Sequence, residues 1–242
     1  MLKSFELFIL LICSFVAAIV SGTAGFGGSL LLLPVVTIFI GAEAAVPVLT
    51  IAQLIGNLAR MATGFRQIDW KSVGWFSLSA LPLAALGAFG FALLPKDAVT
   101  RCIGAGLVML AVAKLLLKKD LPKGRGTLLA GGALTGGLSG LCGSGGPIGA
   151  AAFLSLGLSP VAYIASEAAG ATAMHILKIV VYSRLTNMTL QTLTVGAAMG
   201  CAMLIGTFAA KYFIKGMTKN KFQIYVASIL CLVGLFMLIF GA

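Results

Sequence analysis

Apolar runs long enough to cross a bilayer follow one another along almost the whole chain, with only short polar interruptions. Of the 242 residues, 60% are hydrophobic and 10% charged, and the mean hydropathy is +1.10. A soluble domain carries roughly 25% charged residues, and a globule of this size could not hide the apolar surplus in one core. Disorder is excluded by the same arithmetic, because it requires low hydrophobicity and many charges. At about 20 residues per span, the length accommodates roughly eight membrane helices and no appended soluble domain. The expected fold class is an all-α polytopic membrane protein.

The charges are few and lopsided, 17 Lys and Arg against 6 Asp and Glu. The basic residues stand at the ends of apolar runs, where they anchor helices and face anionic lipid. No basic face with interleaved aromatics exists outside those runs, so nucleic acid is not an expected partner. The five cysteines, Cys13, Cys102, Cys142, Cys201 and Cys231, lie within apolar stretches and form no Cys-x-x-Cys pair, so neither a disulfide framework nor a zinc site is indicated. Lys3 before the run Leu7–Val20 resembles a secretory signal, but Glu6 sits in its basic region and the chain stays apolar beyond it. That segment reads better as the first membrane helix.

The first apolar block, Phe5–Ile40, is too long for one simple span and breaks at Ser21-Gly22-Thr23-Ala24-Gly25-Phe26-Gly27-Gly28. Spans are expected over Ala44–Thr63, Val73–Leu94 and Ala98–Leu117. Trp70 and Trp75 flank the cationic loop before the second of these, as interfacial aromatics do. After the polar stretch Lys118–Arg125 comes a second broken block, Thr127–Leu156, then spans over Pro160–Tyr182, Leu190–Ile214 and Phe222–Phe240.

The two halves resemble each other. Ser21 to Ser29 aligns without gaps to Ser139-Gly140-Leu141-Cys142-Gly143-Ser144-Gly145-Gly146-Pro147, an offset of 118 residues, and both read S-G-x-x-G-x-G-G. The same offset of 118 pairs Asn57 with His175, Arg60 with Lys178 and Arg66 with Arg184. The expected organisation is a first repeat over 1–117, a central cytoplasmic loop over 118–125 and a second repeat over 126–242, each of about four helical segments. If each broken block crosses the membrane once, the repeats are parallel, with 11 Lys/Arg on one side and 6 on the other. If each block dips in and returns, the repeats are inverted, and the division is 12 against 5. Charge does not choose between them, and both put the central loop in the cytoplasm.

Backbone in a bilayer must be satisfied internally unless it lines protein or water. Two Gly-rich interruptions in matched positions therefore read as a ligand site rather than as helix packing through small residues. Helices starting near Ser29 and Ile148 would aim their N–H groups and positive dipole ends at an anion. The expected binding residues are Ser21, Gly22, Gly25, Phe26, Gly27, Gly28 and Ser29 in the first half, with Asn57 and Arg60 one turn apart on the same helix face. In the second half they are Ser139, Gly140, Cys142, Gly143, Ser144, Gly145 and Gly146, with His175 and Lys178. For Arg60 and Lys178 the competing reading is snorkelling to the interface. Glu167, the one carboxylate within an expected span, would pair with a cation such as Lys178 or join His175 in proton coupling. Thr50, Gln53 and Thr172 are further candidates to line the path.

Gly143-Ser144-Gly145 with a downstream His175 also resembles a rhomboid-type serine–histidine dyad, but Cys142 stands where that motif has glycine, and Phe26 matches Ser144 in the first half. An enzyme is not expected. No Gly-x-x-x-x-Gly-Lys-Ser/Thr occurs, and no cofactor or metal is expected.

At the segment Gly25–Pro34 and at Ser139–Pro147 the sequence resembles the TauE/SafE sulfite exporter family, also called the toluene sulfonate uptake permease family. It departs from the family pattern at Ser29 and Pro147, where a third glycine is common, and at Ala152, the counterpart of Pro34. The resemblance implies a secondary carrier moving sulfite, sulfoacetate or related sulfonates across the cytoplasmic membrane. The expected partners are a small anion and membrane lipid, with room for a homo-oligomer. A passive anion channel and a non-transporting membrane scaffold are the alternatives.

Overall fold

The computed structural model describes residues 3–25, 28–90, 122–143, 145–185 and 188–214, together with scattered residues between 218 and 239. The expected span Ala98–Leu117 and the start of the central loop, Lys118–Leu121, lie outside the described residues, as do Phe26, Gly27 and Ser144. The helices are α1 (Ser4–Ala24), α2 (Ser29–Ile40), α3 (Ala42–Thr63), α4 (Trp70–Phe89), α5 (Arg125–Cys142), α6 (Gly146–Leu154), α7 (Pro160–Leu185) and α8 (Leu190–Ile214). Among the described residues, five helices are long and apolar enough to cross a membrane: α1, α3 from Ala44, α4, α7, and α8 as far as Ala210.

Their boundaries follow local chemistry. Gly25 ends α1 with a left-handed φ of 78°, and its N–H bonds Ser21 O at 2.8 Å. Gly143 ends α5 in the same way, with φ 72° and a bond to Ser139 O at 3.0 Å. Both are the glycine stop in which one amide satisfies a last-turn carbonyl. Asp69 starts α4 by accepting from Ser72 N at 3.2 Å and Ser72 Oγ at 2.7 Å.

Packing sets the helix directions. Gly28 lies against Ala17, and Leu32 and Val36 share a core with Leu10 and Ala17, so α2 runs back along α1. In the same manner Gly149 lies against Thr135 and Ala152 against Gly131, so α6 runs back along α5. Gly132, Gly136 and Gly140, four residues apart on one face of α5, admit α4 so closely that a methyl group at any of them would overlap the carbonyl oxygen of Phe76, Ala80 or Ala84. Helices α4 and α5 are thus parallel. Gly22 against Ala210 and Gly206 against Ala18 make α1 and α8 parallel as well.

At the centre, α3 and α7 are antiparallel. Gly64, just past the end of α3, meets Val161 and Ala165 near the start of α7, while Val46 near the start of α3 clusters with Tyr182 near the end of α7. The apolar core is split accordingly, one part around Phe76, Phe153 and Tyr163, the other around Leu10, Leu32 and Met199. The rings of Phe76 and Phe153 meet at a tilt of 51° with centroids 5.1 Å apart, and Arg125 lies 4.7 Å over the Trp75 ring.

Candidate functional site

Each interruption between hairpin helices is touched by both α3 and α7. At the first, Arg60 is 2% exposed and donates Nη1 to Ser21 O at 3.2 Å. Its Nη2 donates to Asn57 Oδ1, one turn back on α3. Glu167 Oε2 lies 3.6 Å from Arg60 Nη1, a buried ion pair between α3 and α7. Tyr163 OH donates to Ala24 O at 2.9 Å, and its ring fills the space where Gly25 lacks a side chain. Thr23 Oγ1 and Tyr225 OH lie 2.7 Å apart on another side.

At the second interruption, Lys178 is fully buried and donates Nζ to Ser139 Oγ at 3.0 Å. Tyr182, one turn on, donates to Gly140 O at 2.8 Å, and Val46 of α3 covers Gly143. His175 is 7% exposed with Nδ1 unpartnered, and Thr172, a turn before it, has an unpartnered Oγ1. Thr172, His175, Lys178 and Tyr182 share one face of α7 by their spacing. Thr135, one turn before Ser139, adds another unpartnered buried hydroxyl.

Several expectations change. Arg60 and Lys178 point into the protein rather than toward an interface, so neither snorkels. Glu167 pairs with Arg60 and not with Lys178. The first interruption does not present uncapped amides. With the Gln53 carboxamide oriented by its hydrogen bonds, its oxygen accepts from Gly28 N at 3.2 Å and Ser29 N at 2.7 Å. Gln53 was expected only to line the path; a helix-capping role has no local sequence signal, because the cap comes from a different helix. Tyr163 and Tyr182 were missed altogether, although two tyrosines in the small-residue helix α7 are its largest fully buried side chains.

Other expected residues fall as follows. Gly22 packs on Ala210, and Thr50 Oγ1 bonds Val46 O at 2.7 Å. Gly145 sits against Ser139 and Gly146 opens α6. Cys142 is the last residue of α5. Phe26, Gly27 and Ser144 are outside the described residues, so the serine–histidine alternative has no geometry here.

Electrostatically the two places differ. Arg60 has a carboxylate within ion-pair distance, whereas Lys178, among the described residues, has only the Ser139 hydroxyl. Desolvating an ammonium costs several kcal/mol unless a counter-charge compensates, roughly as for any buried ion. Among the described residues no cluster of His, Cys, Asp and Glu could hold a metal.

A further feature is a cavity of about 300 Å³ at the end where α1, α3 and α8 begin, lined by Glu6, Phe39, Ile40, Val48, Thr189 and Gln191 among others.

No curated protein and no solved structure matches the chain. The family model described as "Sulfite exporter TauE/SafE" matches residues 10–237, nearly the whole length. With its all-helical, multi-pass architecture, the chain belongs to the TauE/SafE sulfite exporter family of membrane transporters.

Proposed function

We propose that this protein is a secondary carrier in the cytoplasmic membrane that moves sulfite or a related small sulfonate by alternating access, with the anion held at the second interruption. One observation carries the reading: Lys178, fully buried beside Ser139, has no carboxylate partner among the described residues. A sulfo group offers the missing negative charge and several acceptor oxygens for Lys178 and the Ser139 hydroxyl. His175, on the same face of α7, is assigned to proton coupling. Glu167, the other group expected to carry a proton, stands 3.6 Å from Arg60 and is assigned to that ion pair rather than to coupling.

The two halves, 1–117 and 126–242, are proposed to be inverted repeats with re-entrant hairpins. The antiparallel run of α3 against α7, related by the 118-residue offset, supports inversion, since parallel repeats would make these helices parallel.

Radiolabelled sulfite exchange in proteoliposomes tests the function. Saturable uptake accelerated by sulfite on the far side is the expected result. Linear, unsaturable flux would make the protein a channel, and no flux with any oxyanion would leave only the scaffold alternative.

A further inference from the structure

The two interruptions match in sequence but not in what fills them. In the 118-residue register, Arg60 corresponds to Lys178, Gln53 to Ala171, and Leu49 to Glu167. At the first interruption both the amides and the cation already face oxygens of the protein. Gln53 Oε1 accepts from Gly28 N and Ser29 N, and the Glu167 carboxylate stands 3.6 Å from Arg60. All three side chains are buried, Gln53 at 1% exposure, Arg60 at 2% and Glu167 at 3%. At the second interruption, the register partner of the capping carboxamide is a methyl group, Ala171, and that of the carboxylate is a hydrocarbon, Leu49.

Resting on the carrier reading above, we infer that the first interruption is an anion cradle permanently occupied by the protein's own Gln53 and Glu167 oxygens. The carrier therefore holds one substrate anion per chain, at Lys178. The chemistry of the occupants supports this. A carboxamide oxygen on two amide N–H groups and a carboxylate facing a guanidinium reproduce two features of a bound sulfo group, acceptor oxygens and one negative charge. A hairpin whose amides and cation already face oxygens of the protein has no reason to respond to substrate; the second hairpin, where Lys178 has no carboxylate partner among the described residues, does. Gln53 and Glu167 act as positioning residues that hold the first hairpin in place.

Equilibrium dialysis of the purified full-length protein with radiolabelled sulfite decides the matter. The wild type should bind one sulfite per chain. Glu167→Gln, which leaves Arg60 without its counter-charge, should bind two, and adding Arg60→Gln should return the number to one. Two sulfites on the wild type, or one on folded Glu167→Gln, would overturn the inference. Should Glu167→Gln fail to fold, Gln53→Glu gives a second readout. It keeps an acceptor on both amides, so binding should stay at one per chain with unchanged affinity; a tenfold or greater loss would mean that Gln53 touches substrate instead. A wild type that binds none while Glu167→Gln binds one would remove the Lys178 site and leave the self-occupied cradle standing.

Discussion

Lys178 reaches from α7 to Ser139 on α5, 3.0 Å away, in the same register in which Arg60 reaches from α3 to the backbone of Ser21. The difference between them is the counter-charge, and it makes a two-signed prediction. Replacing Lys178 by Met removes a buried ammonium that has no counter-charge among the described residues, so thermal stability without ligand should rise. Sulfite affinity should fall by about 2–5 kcal/mol, the usual loss when one member of a buried charged pair is deleted. Lys123→Ala, on the exposed stretch before α5, should change neither quantity. Thermal unfolding with and without sulfite reads both signs. A Lys178→Met protein that is less stable yet binds normally would make the lysine purely structural.

The glycine stops predict an unequal pair of defects. Alanine at Gly143 meets a left-handed φ, a penalty of roughly 1–2 kcal/mol, and a Val46 side chain 3.1 Å away that can give slightly. Alanine at Gly25 meets the same φ penalty and the Tyr163 ring itself. Overpacking adds about 1–3 kcal/mol, so Gly25→Ala should be the more damaging by that margin. A double-mutant cycle with Tyr163→Ala should show coupling of about 0.5–3 kcal/mol between the two positions. Equal losses at Gly25 and Gly143 would contradict the packing described.

Much of this architecture was legible in the sequence, for physical reasons that differ by residue. The ends of α8, Leu190 and Ile214, and the end of α3 at Thr63 coincide with the expected spans, because hydropathy reports how long a helix can stay in lipid. The start of α4 was placed at Val73 and lies at Trp70, since the Asp69 cap on Ser72 outweighs the apolar pattern there. Partnerships between distant helices were not legible. The sequence offers Glu167 a cation such as Lys178, and the antiparallel crossing of α3 and α7 brings it to Arg60 instead. The capping of Ser29 by Gln53 crosses from α3 to α2, and a residue's own neighbours carry no trace of it.

Proton coupling yields a test that separates movement from accumulation. His175 has an unpartnered Nδ1 one turn from Lys178, so His175→Gln keeps size and polarity while removing the exchangeable charge. Sulfite exchange at equal pH on both sides should persist within a few-fold, and accumulation driven by a pH gradient should vanish. Gradient-driven accumulation that survives in the variant would take His175 out of the coupling path.

The antiparallel arrangement of α3 and α7 makes the last prediction, which concerns sides. Inverted repeats with re-entrant hairpins place the α7–α8 turn at Thr189 on the face opposite Lys123, whereas parallel repeats place both on one face. Arg66, in the turn between α3 and α4, shares the face of Lys123 in either arrangement and serves as the internal control. The cavity at the Thr189 end, with Glu6 and Gln191 on its wall, would then open away from the cytoplasm. Single cysteines at positions 66, 123 and 189 in a cysteine-free background, probed in intact cells with a membrane-impermeant maleimide, settle the geometry. Thr189→Cys should react from outside, and Arg66→Cys and Lys123→Cys only after permeabilisation. If all three label together, the repeats are parallel, and a hairpin dipping to the midplane from each face no longer describes how the two halves meet.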